Sequence, residues 1–106
     1  MNSLALLQRI RESVQQGSYR LSVHAERERD ADQVTNAEIR ETFGAGHIEL
    51  LEDYPDDPRG HSVLVLGFSN AGVPIHAAIG LSRTQVVFIT IYRPDPESWY
   101  DWRRRV

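Results

Sequence analysis

One histidine and two carboxylates, spaced four positions apart, are the first residues whose chemistry draws attention. His24, Glu28 and Asp32 would lie along one stripe of a helix, because residues at i, i+4 and i+8 are close neighbours on its surface. Such a stripe can bind a metal ion, transfer protons or contact a partner. Charged surface helices also carry carboxylates at this spacing by chance, so solvated charge is a further interpretation.

A second histidine, His76, occurs in a segment whose apolar residues alternate with other types. Because successive side chains of a strand point to opposite faces, this alternation assigns His76, Thr90 and Tyr92 to one outward surface. The residues assigned to the opposite, helix-covered face are Val73, Ile75, Ala77, Ile79, Val87, Ile89 and Ile91. A half-polar sheet face is suited to holding a ligand. In the alternative interpretation, His76 only bonds a neighbouring carbonyl on a solvated sheet.

Aromatic and arginine residues cluster near the C-terminus: Tyr92, Arg93, Trp99, Tyr100, Trp102, Arg103, Arg104 and Arg105. Rings that alternate with guanidinium groups suit unstacked bases and phosphates, as binding of single-stranded RNA requires. The alternative is that the tryptophans pack in the core and the arginines are solvated.

Length and composition exclude several classes of protein. The 106 residues are expected to form a single domain over 1–106, and the absence of cysteine excludes disulfides and cysteine-ligated zinc. The formal net charge of −3 argues against a broad phosphate-binding surface. Phosphate-binding loops, dinucleotide fingerprints and nucleophile elbows are absent from the sequence. With neither a membrane-spanning apolar stretch nor a signal-peptide core, a cytoplasmic protein is expected.

The N-terminal half has helical periodicity. Apolar residues spaced by three and four predict a helix over 4–16, which Gly17 ends. The segment 19–23 is either a short strand or an extended connector. A charged surface helix is predicted over 24–33, and a third, short helix follows a capping box formed by Thr35 and Glu38.

The C-terminal half has the period of β-strands, with turn residues between the runs. The four strands predicted there cover 47–54, 61–69, 73–80 and 85–92. Asp95 followed by Pro96 predicts the start of a short C-terminal helix. The predicted fold is therefore α+β: N-terminal helices packed on a four-stranded antiparallel sheet, with a short C-terminal helix.

The order of short motifs along residues 19–96 resembles the domain of unknown function family 4258. The matching motifs are His24-Ala25, Tyr54-Pro55-Asp56-Asp57-Pro58, Pro74-Ile75-His76-Ala77 and Thr90-Ile91-Tyr92. Commoner members of that family have arginines at the positions of Glu28 and Asp32.

That family is similar to the small ribonuclease toxins of the RelE and barnase-like group, in which helices pack on an antiparallel sheet. Such toxins are often paired with an antitoxin, sometimes a protein with a zinc finger and a helix-turn-helix. The resemblance therefore implies a ribonuclease toxin of a toxin–antitoxin system, with RNA and an antitoxin protein as its partners.

The leading hypothesis is a metal-independent endoribonuclease that needs no cofactor. A base takes the ribose 2′-proton, an acid protonates the leaving 5′-oxygen, and a cation stabilises the charged intermediate. We expect His24 and His76 to be the acid and the base, since histidine titrates near neutral pH, with Glu28 as an alternative base. Those three residues and Tyr92 form the predicted catalytic set.

Substrate binding is assigned to residues at the ends of the last two predicted strands. Arg93 or Arg83 would hold the phosphate. Thr90 would contact the RNA, and Tyr92 would orient or stack a base.

Two further functions stay open. One is a protein-binding module of the same fold without catalysis, which the net charge and the carboxylates Glu28 and Asp32 favour. The other is a metal-dependent hydrolase in which His24, Glu28, Asp32 and His76 would hold magnesium or manganese.

Overall fold

The computed structural model describes residues 2–106. Its helices are α1 (Ser3–Gln15), α2 (Val23–Ala31) and α3 (Asn36–Arg40), and α3 continues into a π-helical turn (Glu41–Ala45). Its strands are β1 (Arg20–Leu21), β2 (Ile48–Tyr54), β3 (Ser62–Phe68), β4 (Pro74–Leu81), β5 (Val86–Tyr92), β6 (Trp99–Tyr100) and β7 (Arg104–Arg105). Within these residues, no helix is both long and apolar enough to cross a membrane.

The main sheet has five strands in the order β1-β5-β4-β3-β2. Strands β2 to β5 are antiparallel to their neighbours, whereas β1 runs parallel to β5. The prediction of a four-stranded antiparallel sheet is therefore wrong, because the sheet is mixed. The sequence did not resolve β1, since a strand of two residues is too short to show alternation.

The predicted C-terminal helix is also wrong, because this segment forms the hairpin β6–β7. The two turn residues, Asp101 and Trp102, have φ values of 51° and 63°. Two consecutive positive φ angles are typical of a type I′ turn, which joins adjacent antiparallel strands. The amide groups of Ser98 and Trp99 both bond the carbonyl of Asp95, so the helical signal there produces a single turn.

Local signals place the helices close to their predicted positions. The capping box at the start of α3 is confirmed, since Thr35 accepts a hydrogen bond from the Glu38 N–H and Glu38 accepts one from the Thr35 N–H. Asn2 caps α1, and Ser22 caps α2. Ser22 also fastens the start of α2 to the sheet, because its hydroxyl donates to the carbonyl of Ile89 at 2.8 Å.

The hydrophobic core lies between the sheet and the helices α1 and α3. Phe43 of the π-helical turn packs edge-on against Phe88 of β5, with ring centroids 5.4 Å apart. The assignment of Val87 and Ile89 to this core face is wrong. A β-bulge pairs Thr90 with Ala78 and Phe88 with Ile79, which leaves Ile89 as the extra residue. It turns Val87 and Ile89 toward the opposite face, where both line surface grooves.

Strand β3 passes so close to the π-helical turn that position 67 has no room for a side chain. A Cβ at Gly67 would lie 2.5 Å from Cγ2 of Thr42. We expect Gly67→Ala to lower the free energy of unfolding by about 1–3 kcal/mol, because the strand or the turn must shift. Urea unfolding followed by circular dichroism measures this loss.

Gly80→Ala is the matched control in the neighbouring strand. A Cβ at Gly80 would contact Cδ1 of Ile89 at 3.2 Å, and the end of that flexible side chain can move away. The control is expected to lose less stability than Gly67→Ala. Equal losses in the two variants would contradict the described packing of β3.

Candidate functional site

Helix α2 is held along the edge of β5 by its own carboxylates. β1 pairs only with Val87 and Phe88, so the N–H groups farther along β5 need other partners. Glu28 accepts the hydrogen bond of the Ile91 N–H at 3.2 Å, and Asp32 accepts that of the Arg93 N–H at 2.8 Å. The two carboxylates of the helical stripe, Glu28 and Asp32, therefore bind backbone N–H groups of β5.

This arrangement separates three of the four side chains that the metal hypothesis combined. Glu28 and Asp32 contact different backbone groups, while His24 is mostly exposed, with Nε2 3.3 Å from Oε1 of Glu28. Across residues 2–106, no three histidine or carboxylate side chains are grouped closely enough to hold a metal ion. The donor set proposed for magnesium or manganese does not converge.

A groove of about 760 Å³ lies on the outer face of the sheet, opposite α1 and α3. Residues of β3, β4 and β5 form its floor: Leu64, Ala78, Ile89 and Thr90. Residues from α2, β2, the β2–β3 loop and the C-terminal hairpin surround it: His24, Glu52, Tyr54, Asp57, Arg59 and Arg105. The Thr90 hydroxyl accepts a hydrogen bond from the Ala78 N–H beside the bulge. The groove thus has an apolar floor and a charged rim.

On the side of the groove opposite α2, cations and carboxylates alternate. Arg105 bonds both carboxylate oxygens of Glu52, at 3.0 and 3.1 Å, and this contact holds the pKa of Glu52 below its usual value. Hydrogen bonds from the Arg59 backbone and side chain, and from the Ser62 hydroxyl, lower the pKa of Asp57 to about 2. The Arg59 side chain is nevertheless 80% exposed, so it can bind an anion.

His76 lies on the same face but is completely buried beneath the C-terminal hairpin. Its Nε2 is 2.7 Å from the carbonyl oxygen of Trp102, and its Nδ1 is 3.1 Å from the hydroxyl of Tyr92. The Trp99 ring packs edge-on against the imidazole at 4.4 Å. Burial lowers the pKa of His76, so the ring is neutral at neutral pH.

The structure therefore brings only some of the sequence-predicted site residues together. His24, Thr90 and Tyr92 line the groove, and Glu28 and His76 lie directly behind His24 and Tyr92, respectively. The catalytic and RNA-binding roles of these five residues stay predictions.

The two arginines predicted to hold phosphate lie elsewhere. Arg93 bonds Asp32, Gln33 and Glu38, on the side of β5 where α2 and α3 meet. Arg83 is in the turn between β4 and β5 and does not line the groove. Neither arginine is placed beside His24.

Sequence reasoning gave Tyr54 and Arg59 no binding role, and it placed Arg105 only in a general cluster of aromatic and arginine residues. Tyr54 and Arg59 belong to the segment 54–60, whose prolines favour an ordinary turn over a cation site at its aspartates and give neither residue a role. Arg105 is one of three consecutive arginines, and a predicted C-terminal helix gave no reason to place it over the sheet. The repeated aromatic and arginine pattern was the available signal.

A mixed sheet backed by helices, with a charged groove on its free face, is the architecture of this chain. The model of a family described as a domain of unknown function, DUF4258, matches residues 21–93. The chain belongs to this family, and the match spans α2 through β5 and so includes His24, Thr90 and Tyr92. No curated protein and no solved structure matches the chain significantly.

The buried His76 is expected to make stability depend on pH. Its pKa in the folded protein lies below 6.5, its ordinary value. As the pH falls through about 6.5, the unfolded chain takes up a proton first, so the free energy of unfolding decreases. The contribution of the neutral ring is complete above that pH. The carboxylates of Glu49 and Glu52, whose pKa is lowered, change the free energy of unfolding only at lower pH, because their ordinary pKa is 4.5.

Urea unfolding between about pH 8 and pH 5 measures this dependence. The variant His76→Gln should lose less stability over this range than the wild type. His47→Gln is the control, because the His47 side chain is 80% exposed, and it should keep the wild-type dependence. A wild-type dependence in His76→Gln would contradict the burial of a neutral imidazole.

Proposed function

We propose that this protein is a metal-independent endoribonuclease, the toxin of a toxin–antitoxin system, and that the outer groove binds its RNA. The observation that carries the proposal is that His24 lines the same groove as Thr90 and Tyr92, together with Arg59 and Arg105. A proton-transfer group, hydroxyl groups and cations are the parts that phosphodiester transesterification uses. The proposed activity belongs in the cytoplasm, where RNA and an antitoxin partner are available.

The groove offers contacts for both parts of a single-stranded RNA. Tyr54 is 48% exposed at the rim, which suits stacking with an unpaired base. Arg59 supplies an exposed guanidinium for phosphate. Because the floor is apolar and the rim is charged, the favoured orientation of the RNA places its bases on the floor and its phosphates along the rim.

His24 is the side chain best placed to exchange a proton with the substrate. It stands at the groove, and the Glu28 carboxylate, 3.3 Å from its Nε2, orients the ring. Glu28 itself is fixed by the Ile91 N–H. We assign to His24 the protonation of the leaving 5′-oxygen.

A protein-binding module without catalysis is the second candidate, and the pairing of the arginines favours it. Arg103 bonds both oxygens of Glu49, and Arg105 bonds both oxygens of Glu52, so these cations are already neutralised. The formal net charge of −3 also favours a protein ligand over RNA. Such a module would bind the antitoxin through the same face.

Incubation of the purified protein with mixed-sequence RNA, in EDTA and in magnesium, tests the proposal. We expect cleavage in both conditions and a loss of at least about 100-fold in rate for His24→Ala, the scale of general acid–base catalysis. His47→Ala is the matched control, since His47 is exposed and does not line the groove. It should keep the wild-type rate.

The other outcomes would contradict the proposal in different ways. Wild-type cleavage by His24→Ala would remove His24 from the reaction, and cleavage only in magnesium would contradict a metal-independent mechanism. If RNA neither is cleaved nor binds at any salt concentration, the protein-binding candidate is favoured, because phosphate contacts produce a steep salt dependence.

A further inference from the structure

The buried His76 connects the C-terminal hairpin to the groove. On one side, its Nε2 contacts the carbonyl oxygen of Trp102 at 2.7 Å; on the other, its Nδ1 contacts the hydroxyl of Tyr92 at 3.1 Å. Tyr92 in turn lines the groove. A continuous chain of hydrogen bonds therefore runs from the hairpin turn to the wall of the groove.

The direction of each hydrogen bond in this chain is determined by its partners. A carbonyl oxygen only accepts, so Nε2 of His76 must carry the proton that bonds Trp102. The imidazole is buried and neutral, and Nδ1 then has no proton and can only accept. The hydroxyl of Tyr92 therefore donates its proton to Nδ1. The Tyr92 oxygen keeps its lone pairs and can only accept a further hydrogen bond.

We propose that His76 is a positioning residue that fixes the Tyr92 oxygen as a hydrogen-bond acceptor. The donor of the hydrogen bond to the Tyr92 oxygen is the 2′-hydroxyl of a ribose. This inference rests on the proposed ribonuclease function and names the feature by which the groove selects its substrate. A hydroxyl is required, because an acceptor cannot bond a deoxyribose or a 2′-O-methyl group.

The same contact gives the 2′-proton a path during transesterification. As the 2′-oxygen forms its bond to phosphorus, its proton passes to the Tyr92 oxygen, and the original Tyr92 proton passes to Nδ1 of His76. The bond between phosphorus and the 5′-oxygen breaks, and the 5′-oxygen takes a proton from protonated His24. The products are a 2′,3′-cyclic phosphate and a free 5′-hydroxyl. After the product leaves, His76 returns the proton on Nδ1 to the Tyr92 oxygen, which releases its other proton to water in the groove, and water returns a proton to His24, so the cycle balances.

The hairpin is built to hold the carbonyl that orients His76. Trp102 has a φ of 63°, an unfavourable conformation for a bulky residue, and its carbonyl oxygen bonds the imidazole. Trp99 packs on the same ring, and the Arg105 guanidinium lies over Trp99 at 4.7 Å. Arg103 bonds Glu49 at 2.8 and 2.9 Å and ties the turn to β2.

Nuclear magnetic resonance of the imidazole nitrogens tests the relay without any substrate. Long-range proton–nitrogen spectra distinguish a histidine protonated on Nε2 from one protonated on Nδ1. The proposal requires His76 to carry its proton on Nε2 at neutral pH. A proton on Nδ1, or a doubly protonated ring, would overturn the relay whatever the protein does to RNA.

Binding to paired oligonucleotides tests the assigned ligand group. The His24→Ala background keeps the RNA intact while fluorescence anisotropy compares a single-stranded RNA with a DNA of the same sequence and with its 2′-O-methyl form. We expect RNA to bind about three- to tenfold more tightly than either, the effect of one hydrogen bond. Added Tyr92→Phe should abolish this preference, whereas added Tyr100→Phe should keep it, because Tyr100 is exposed on the hairpin and does not line the groove.

A third variant separates positioning from folding. The side-chain amide of His76→Gln can still donate to the Trp102 carbonyl, but no rigid ring holds its acceptor oxygen at the position of Nδ1, so the variant should remain folded and lose the preference for RNA. A folded His76→Gln that keeps the preference would overturn the role of His76. Equal affinity of the His24→Ala protein for RNA and DNA would overturn the assigned ligand, while cleavage by the wild type would still support the proposed function. Binding to neither would overturn both.

Discussion

The open edge of β5 is the constraint on which the rest of this architecture depends. The parallel strand β1 covers only Val87 and Phe88, and the backbone beyond them would be an unpaired edge. Helix α2 completes this edge with side chains: Glu28 and Asp32 accept the hydrogen bonds of Ile91 and Arg93. The helix must therefore lie beside the sheet and not over its core face. In that position it forms one wall of the outer groove and places His24 there.

The C-terminal hairpin closes the other end of the same face, and it does so with charges and one buried histidine. Its arginines bond Glu49 and Glu52 of β2, while Trp99 and the Trp102 carbonyl cover His76. Because the covered imidazole is neutral, it transmits a defined hydrogen-bond direction to Tyr92. The groove is thus formed between two elements that are attached through polar contacts, above a floor supplied by the central strands.

Local patterns predicted the three N-terminal helices, the four long strands and the common surface of His76, Thr90 and Tyr92, because these depend on periodicity within a few residues. The remainder depends on partners far away in the sequence. The spacing of Glu28 and Asp32 is the same whether they bind metal or backbone. The position of β5, far away in the sequence, determines that they bind backbone N–H groups. The bulge at Ile89 exchanges the faces to which the side chains of part of β5 point, and the residue types there do not indicate it. The spacing of the two tryptophans in the C-terminal segment fits a helix as well as a hairpin. Contacts with His76 and β2, which the local sequence does not show, determine that the segment is a hairpin.

The central claim is that the outer face, and not the helical face, is the functional surface. Chemical-shift mapping of the nitrogen-15-labelled His24→Ala variant with a short single-stranded RNA tests this most directly. We expect the shifts to cluster at the amides around positions 24, 54, 59, 90 and 105, with those of α1 and α3 unchanged. Shifts confined to α1 and α3, or none at RNA concentrations that saturate a ribonuclease, would contradict it.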